Sequence, residues 1–282
     1  MVHRKTYKRK PYRLKPKKSI LKNRYFWLVI LVLFLFLLII YFLLFWEKFQ
    51  VSQINVFGNE KVPTENVKDI VFAKIQHKFL FLKSQSIFLV NSRVLSDEIL
   101  NSFPQIGKVK TSRRFPNIIV VDIKERKAIA VFCSDSSADF IEHPRQGRDL
   151  EKCFFIDEGG VAFEKTQQIE TRSLTIVRQT TGNEVVILGK EAIEKEIVGI
   201  ILKIQKNLSD NFQITISEAN IVSTKRLNIK TNENWEIYIG LDSDIDSQIT
   251  KLDLLLKEEV LAEKRKKLEY IDLRFQDRAY YK

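Results

Sequence analysis

The chain has 282 residues, 45% of them hydrophobic and 29% charged, with a formal net charge of +12. A charge of that size suggests nucleic acid until its position is read: eleven Lys and Arg and no acid precede Tyr25, and everything after Arg24 sums to +1. Nucleic-acid binding is excluded as the organising function, and the length leaves room for one or two domains.

The basic segment 1–24 is followed by Tyr25–Trp46, a run without a charge, Pro, Gly or polar amide. At about 1.5 Å per residue its 22 residues make a helix of roughly 33 Å, enough for a hydrocarbon core of about 30 Å. Trp27 and Trp46 with Tyr25 and Tyr41 lie near its ends, where amphipathic rings favour the lipid–water boundary. The run is too long for a signal-peptide core and lacks a small-residue cleavage site, so a retained anchor is expected. The positive-inside rule puts the N-terminus in the cytoplasm, the basic tail against anionic lipid head groups, and residues 47–282 on the far side.

Beyond the anchor, Phe49–Phe57 alternates as a half-buried strand and closes at Gly58-Asn59. Pro63 opens a helix carrying Val67, Ile70 and Val71. The apolar stretch Phe79–Val90 has no clear period. Asn91–Phe103 reads as a second helix, capped by Asn91 or Ser92 and ended by Pro104. Gly107–Arg114 and Asn117–Lys127 are strands around a Phe115-Pro116-Asn117 turn. The order strand, helix, helix, strand, strand predicts a small α+β unit over 47–127, two helices on one face of a three-stranded sheet.

Residues 128–282 read as a mainly antiparallel β-domain, with apolar runs of four to eight residues between turn signals. The predicted strands are Ala128–Cys133, Cys153–Asp157, Gly160–Phe163, Leu174–Arg178, Val185–Leu188, Gln213–Ser217, Arg226–Thr231, Trp235–Ile239, Leu268–Phe275 and Arg278–Tyr281. Asp157-Glu158-Gly159-Gly160 is a hairpin turn. Two helices with apolar stripes, Lys190–Leu208 and Ser243–Lys264, are expected to pack on the sheet, the second behind a Ser243/Asp246 capping box. Ser134–Lys152 is a polar loop. The last elements leave the chain finishing at a sheet edge.

No catalytic constellation stands out. His3, His77 and His143 with two cysteines lack zinc-ligand spacing, and there is no phosphate loop or nucleophile elbow, so neither a cofactor nor a metal is expected. A thiol hydrolase built on Cys133 or Cys153 with His143 and Arg145 or Arg148 would need a free thiol beside a base. Asp157 and Asp272 could pose as acid–base partners but sit in strand-and-turn contexts that explain them. Cys133 and Cys153 flank the polar loop; the residues leave open whether they are a disulfide or two small buried side chains.

Several stretches together resemble the bacterial FtsQ/DivIB cell-division family. They are VSQINVFGNEKV (51–62), FPQIGKVKTSRRFPNIIVVDIKERKAIA (103–130), CFFIDEGGVAF (153–163) and LEYIDLRFQDRAYYK (268–282), in family order behind a membrane anchor. The resemblance implies a POTRA domain followed by the family's β-domain, and a non-enzymatic divisome scaffold that helps control septal peptidoglycan synthesis. It implies two small bitopic partners, FtsB/DivIC-like and FtsL-like, captured by strand addition at the C-terminal sheet edge. Carried over by motif, the partner-binding residues are Arg274, Phe275, Arg278, Ala279, Tyr280 and Tyr281. A second contact surface is expected around Ile54–Phe57 and Gly58-Asn59. The loop between the cysteines departs from the family's pattern. A different POTRA-bearing export or assembly factor is the alternative reading.

Overall fold

A computed structural model describes residues 24–79, 82–134, 152–166, 174–180 and 185–282. Residues 135–151 of the expected polar loop, with His143, Arg145 and Arg148, and also His3, lie outside the described residues. The chain divides into two compact units: one holds the residues up to Gln53 with Ile75–Val90 and Arg113–Ile119, the other Ile54–Lys74, Asn91–Ser112 and Val120–Lys282.

In the first unit, α1 (Arg24–Phe45) is one uninterrupted helix with no buried side chain, long and apolar enough to cross a membrane. The end of such a helix leaves carbonyls without intrahelical donors, and buried orphans are costly. Here side chains supply them: Ser84 Oγ donates to Leu44 O (2.6 Å), Gln50 Nε2 to Leu44 O (2.8 Å) and Ser86 Oγ to Leu43 O (2.9 Å). The aperiodic stretch after His77 contains a hairpin, β2 (His77–Phe79) with β3 (Leu82–Ser84). Val51 N→Gln85 O (3.0 Å) and Ile87 N→Phe49 O (2.9 Å) tie the segment after it to the short 3-10 turn Glu47–Phe49.

β1 (Gln53–Phe57), β4 (Ile106–Arg114) and β5 (Ile118–Glu125), most of whose residues belong to the second unit, form a sheet of order β1-β5-β4, accompanied by α2 (Thr64–Ile75) and α3 (Ser92–Ser102). This is the expected βααββ order. Asn91 is the α3 cap, its side chain accepting from Arg93 N and Val94 N. Gly58 has φ +79°, and a Cβ there would lie 2.1 Å from Ile123 O, so only glycine fits. The turn behind it is held by one carboxylate: Glu125 accepts from Glu60 N, Lys61 N and Val62 N at 2.9–3.0 Å.

The same unit contains a nine-stranded sheet of order β14-β13-β12-β11-β10-β9-β6-β7-β8. Its strands are β6 (Ala130–Ser134), β7 (Lys152–Ile156), β8 (Ala162–Thr166), β9 (Thr175–Gln179), β10 (Ile216–Ser223), β11 (Arg226–Thr231), β12 (Glu236–Gly240), β13 (Tyr270–Asp272) and β14 (Tyr280–Tyr281). Pairing is mainly antiparallel, as expected, but β6/β9, β9/β10 and β12/β13 are parallel. Parallel neighbours need crossovers: α4 (Lys195–Phe212) joins β9 to β10 and α5 (Ile245–Glu258) joins β12 to β13, while β7 and β8 lie between β6 and β9 in the chain. Both helices lay their apolar stripes on one sheet face. Ile201, Ile204, Leu208, Leu252 and Leu256 pack there with Ile229, Trp235, Ile237 and Ile271 in the main core.

Several expected boundaries move, each for a local reason. Val185–Leu188 is not a strand. Val186 and Leu188 pack on the core while Val185 is exposed, and Gly189 at φ +83° turns the chain. Gln213 is not in a strand but in the left-handed conformation that caps α4, so β10 starts at Ile216. α4 begins five residues later than predicted, after the irregular stretch that leads out of Gly189. Asp244 rather than Ser243 caps α5, accepting from Asp246 N and Ser247 N, and the helix breaks after Glu258 before a short α6 (Ala262–Arg265). Of the last two strands, Leu268–Phe275 narrows to Tyr270–Asp272 and Arg278–Tyr281 to its final two residues.

Candidate functional site: the C-terminal sheet edge

The sheet has two rims, and they are unlike. β8 is blunted: Gly189 N donates to Ala162 O (2.7 Å), Ala162 N to Lys190 O (3.1 Å), and Val161 bridges Glu191. β14 pairs with β13 on one side and, among the described residues, has no neighbour on the other. An open rim of unpaired N–H and C=O groups is a template for another chain.

Register decides which groups are open. Lys282 N donates to Tyr270 O (3.2 Å) and Tyr270 N to Lys282 O (3.3 Å), a hydrogen-bonded pair, and Ile271 lies opposite Tyr281. Because hydrogen-bonded and non-bonded pairs alternate in antiparallel sheets, Tyr280 and Lys282 turn their backbone groups toward β13, and Ala279 and Tyr281 turn theirs outward.

Side chains follow the period-2 rule. Tyr280 lies on the face away from the helices, against Phe275 edge-to-face at 5.1 Å between centroids. Tyr281 points to the helix-bearing face, where its hydroxyl donates to Glu259 Oε2 (3.0 Å); that bond raises the Tyr281 pKa above its ordinary value. Phe275, Tyr280 and Tyr281 are 47%, 47% and 44% exposed, unusual for three aromatics within seven residues. Ala279 packs against the main core, and Arg278 is exposed.

Arg274 is differently placed. Its Nε and Nη2 donate to Asp272 Oδ1 (2.8 Å) and Oδ2 (2.6 Å), a bidentate clamp within the chain, and its guanidinium lies 5.7 Å from the Tyr238 ring centre. Burial pushes the Asp272 carboxyl up, but the Arg274 bonds and charge outweigh it, and the group titrates below its ordinary value; bonding to Asp272 raises Arg274 in turn. Arg226 covers the same tyrosine ring (4.6 Å), and Tyr238 stacks on Tyr270 (5.3 Å). Asp272 is thus an anchor for the approach to β14.

The least legible contributor is Lys251 on α5. Its ammonium donates to Phe275 O (2.5 Å), Leu273 O (3.1 Å) and Gln276 O (3.4 Å), fixing the bend that presents Phe275 and launches β14. One turn earlier, buried Gln248 holds both backbone groups of Gly240 (2.9 and 2.8 Å). Both residues read from sequence as ordinary polar helix positions.

The other sequence candidates fall elsewhere. Cys133 and Cys153 lie directly opposite each other in β6 and β7, both buried, Cα atoms 4.1 Å apart and joined through their sulfurs. They sit with Val131 in a small cluster apart from the main core. Asp157 accepts from Gly159 N and Val161 N (2.9 and 3.0 Å) and ion-pairs with Arg126, a structural use of its carboxylate. Among the described residues, no three His, Cys, Asp or Glu side chains group as metal ligands. Of the residues expected to form a second surface, Ile54 is buried, while Phe57 and Gly58 are exposed.

Comparison with known proteins converges on one family. Residues 49–126 match the model of the POTRA domain, FtsQ-type, and residues 147–274 that of the cell division protein FtsQ/DivIB, C-terminal; the second match stops just before Phe275. The chain is similar to the cell division protein DivIB of Clostridium botulinum (strain Loch Maree), 24% identical over 273 residues, 94% of this chain and 92% of the relative. It is also similar to the DivIB of Clostridium tetani, 25% identical over 233 residues, 80% of this chain and 77% of the relative. With both domain models matched in order behind one apolar helix, and relatives of the same kind aligned over most of their length, this chain belongs to the FtsQ/DivIB family of cell-division proteins.

Proposed function

We propose that the protein is a non-enzymatic divisome scaffold that captures FtsB/DivIC-like and FtsL-like bitopic proteins by strand addition at β14 and couples them to septal peptidoglycan synthesis. Segment 1–24 is then a cytoplasmic tail on anionic lipid, 25–46 the single membrane span, 47–127 the POTRA domain and 128–282 the β-domain, the last two on the outer side at the septum. One observation carries the reading: the outward backbone groups of Ala279 and Tyr281 on a rim without a neighbour, flanked by the exposed rings of Phe275, Tyr280 and Tyr281. A partner strand would gain ladder hydrogen bonds there, and the rings would supply apolar anchors on both faces. Asp272, Arg274 and Lys251 would shape the rim rather than touch the partner.

A photo-crosslinking residue replacing Tyr280 in the full-length protein, in dividing cells, tests it. The expected result is adducts with small single-span division proteins and a fluorescent fusion gathered at midcell. Adducts with neither partner, or a fusion spread evenly round the envelope, would refute the proposal.

A further inference from the structure

Within the first unit, aromatic rings form a continuous ladder that starts on α1 and leaves it. Phe42 and Trp46 are 4.2 Å apart between ring centres, Trp46 and Phe49 5.5 Å, Phe49 and Phe88 5.1 Å, Phe88 and Phe115 5.4 Å. The ladder ends in open rings: Phe115 is 60% exposed and Phe88 40%. A folded domain in water has no reason to present such a row, because apolar surface left in water forfeits its burial.

The surroundings are charged in one sense. Segments 47–53, 75–90 and 113–119, which make up this unit beyond α1, contain Lys48, Lys78, Lys83, Arg113 and Arg114 against the single acid Glu47. All five cations are exposed, and Lys48 lies 5.3 Å from the Trp46 ring centre. Nearly neutral overall after Arg24, the chain concentrates a local excess of +4 in these segments of the unit.

Position supplies the occupant. The carbonyls of Leu43 and Leu44 are bonded to Ser84, Ser86 and Gln50, so this surface is fastened to the last turn of α1. If α1 spans the bilayer, that turn lies at the lipid boundary, and rings in contact with Trp46 lie beside it. Aromatic rings with Lys and Arg are the composition that settles among head groups.

We infer that Trp46, Phe49, Phe88 and Phe115, ringed by Lys48, Lys78, Lys83, Arg113 and Arg114, form a lipid-facing platform seated on anionic head groups of the outer leaflet. The platform fixes the orientation of this membrane-proximal unit on the bilayer instead of leaving it to swing on α1. The inference rests on the single-span reading above.

Quenching by lipids brominated near the top of the acyl chain tests both separately, using the full-length protein in nanodiscs. The Trp27→Phe, Trp46→Phe background keeps only buried Trp235 as baseline; into it go Phe115→Trp and, as a second site, Phe88→Trp, with Trp27→Phe alone reporting Trp46. The platform predicts that each introduced indole loses at least half as much emission as Trp46, and more in phosphatidylglycerol than in phosphatidylcholine discs. Quenching of Trp46 with both introduced indoles at the Trp235 baseline overturns the platform and leaves the anchor standing. Equal quenching in the two lipids overturns the role of the cations. Failure to quench Trp46 itself removes the single-span reading beneath it.

Discussion

Proline at position 281 separates main-chain from side-chain contributions to partner capture. The Tyr281 N–H faces outward, so Tyr281→Pro deletes a donor offered to an added strand without removing a bond of the chain's own β13–β14 ladder. The ring also favours an extended residue before it, which suits Tyr280 in its strand. Tyr281→Ala is the reference: it loses the aromatic ring and the bond to Glu259 while keeping the N–H. A partner carbonyl left without its donor at a partly solvated rim weakens binding by roughly 5- to 30-fold beyond the alanine variant. The assay is titration of full-length protein in nanodiscs with the outer segments of the two bitopic partners, with hydrogen exchange checking that β14 stays paired. Tyr280→Pro is the contrast, because it removes an inward donor and should release β14 itself. Equal affinity for the proline and alanine variants at position 281 would refute strand addition in this register.

Other consequences follow from the same geometry. Lys251→Met frees three carbonyls of the 273–276 bend and should cost about 1–2 kcal/mol in urea unfolding, with a larger loss of partner affinity. Gly160→Ala should destabilise by at least about 1–3 kcal/mol, since φ is +74° and the new Cβ would lie 1.9 Å from Ile193 O; thermal unfolding reads it. The carboxyls of Glu125 and Asp272 both titrate below their ordinary values: burial opposes this, but the three backbone N–H donors on Glu125 and the Arg274 clamp on Asp272 prevail. A lowered folded pKa gives stability that is complete above the unfolded value, about 4, and is lost as pH falls through the folded one. Urea midpoints should therefore be flat from neutrality to about pH 5 and fall below about pH 4, less steeply in Glu125→Gln and Asp272→Asn. Mass spectrometry of a nonreduced digest should find Cys133 and Cys153 in one linked peptide pair. Replacing both by Ser should then cost about 3 kcal/mol for a loop closed over a separation of 20 residues. Two free thiols would rule the link out.

What the sequence disclosed depended on how local the cause was. The apolar run 25–46, the Asn91 cap and the Phe115-Pro116-Asn117 turn each act over a few residues, and each was readable. The βααββ order was readable too, and the last predicted run does lie at a rim of the sheet among the described residues. The parallel crossovers were not, because period-2 patterns look alike in parallel and antiparallel strands. The β2–β3 hairpin was hidden because its residues bond with the end of α1 and the turn after it, partners distant in sequence. Gln213 passed for a strand residue since nothing local marks a non-glycine left-handed cap. At the candidate site, the motif made Arg274 a partner-binding residue, whereas its fork lies on Asp272, two residues earlier. Lys251 could not be found at all, because its three acceptors lie 22–25 residues further on.

Hydrogen exchange of the peptide spanning 273–282, in full-length protein in nanodiscs with and without the two bitopic partners, tests strand capture most directly. The account predicts strong slowing at Ala279 and Tyr281, whose amides face outward, and little change along β8. Protection confined to β8 or to the surface around Phe57, with the C-terminal amides exchanging as fast as in the free protein, would contradict it.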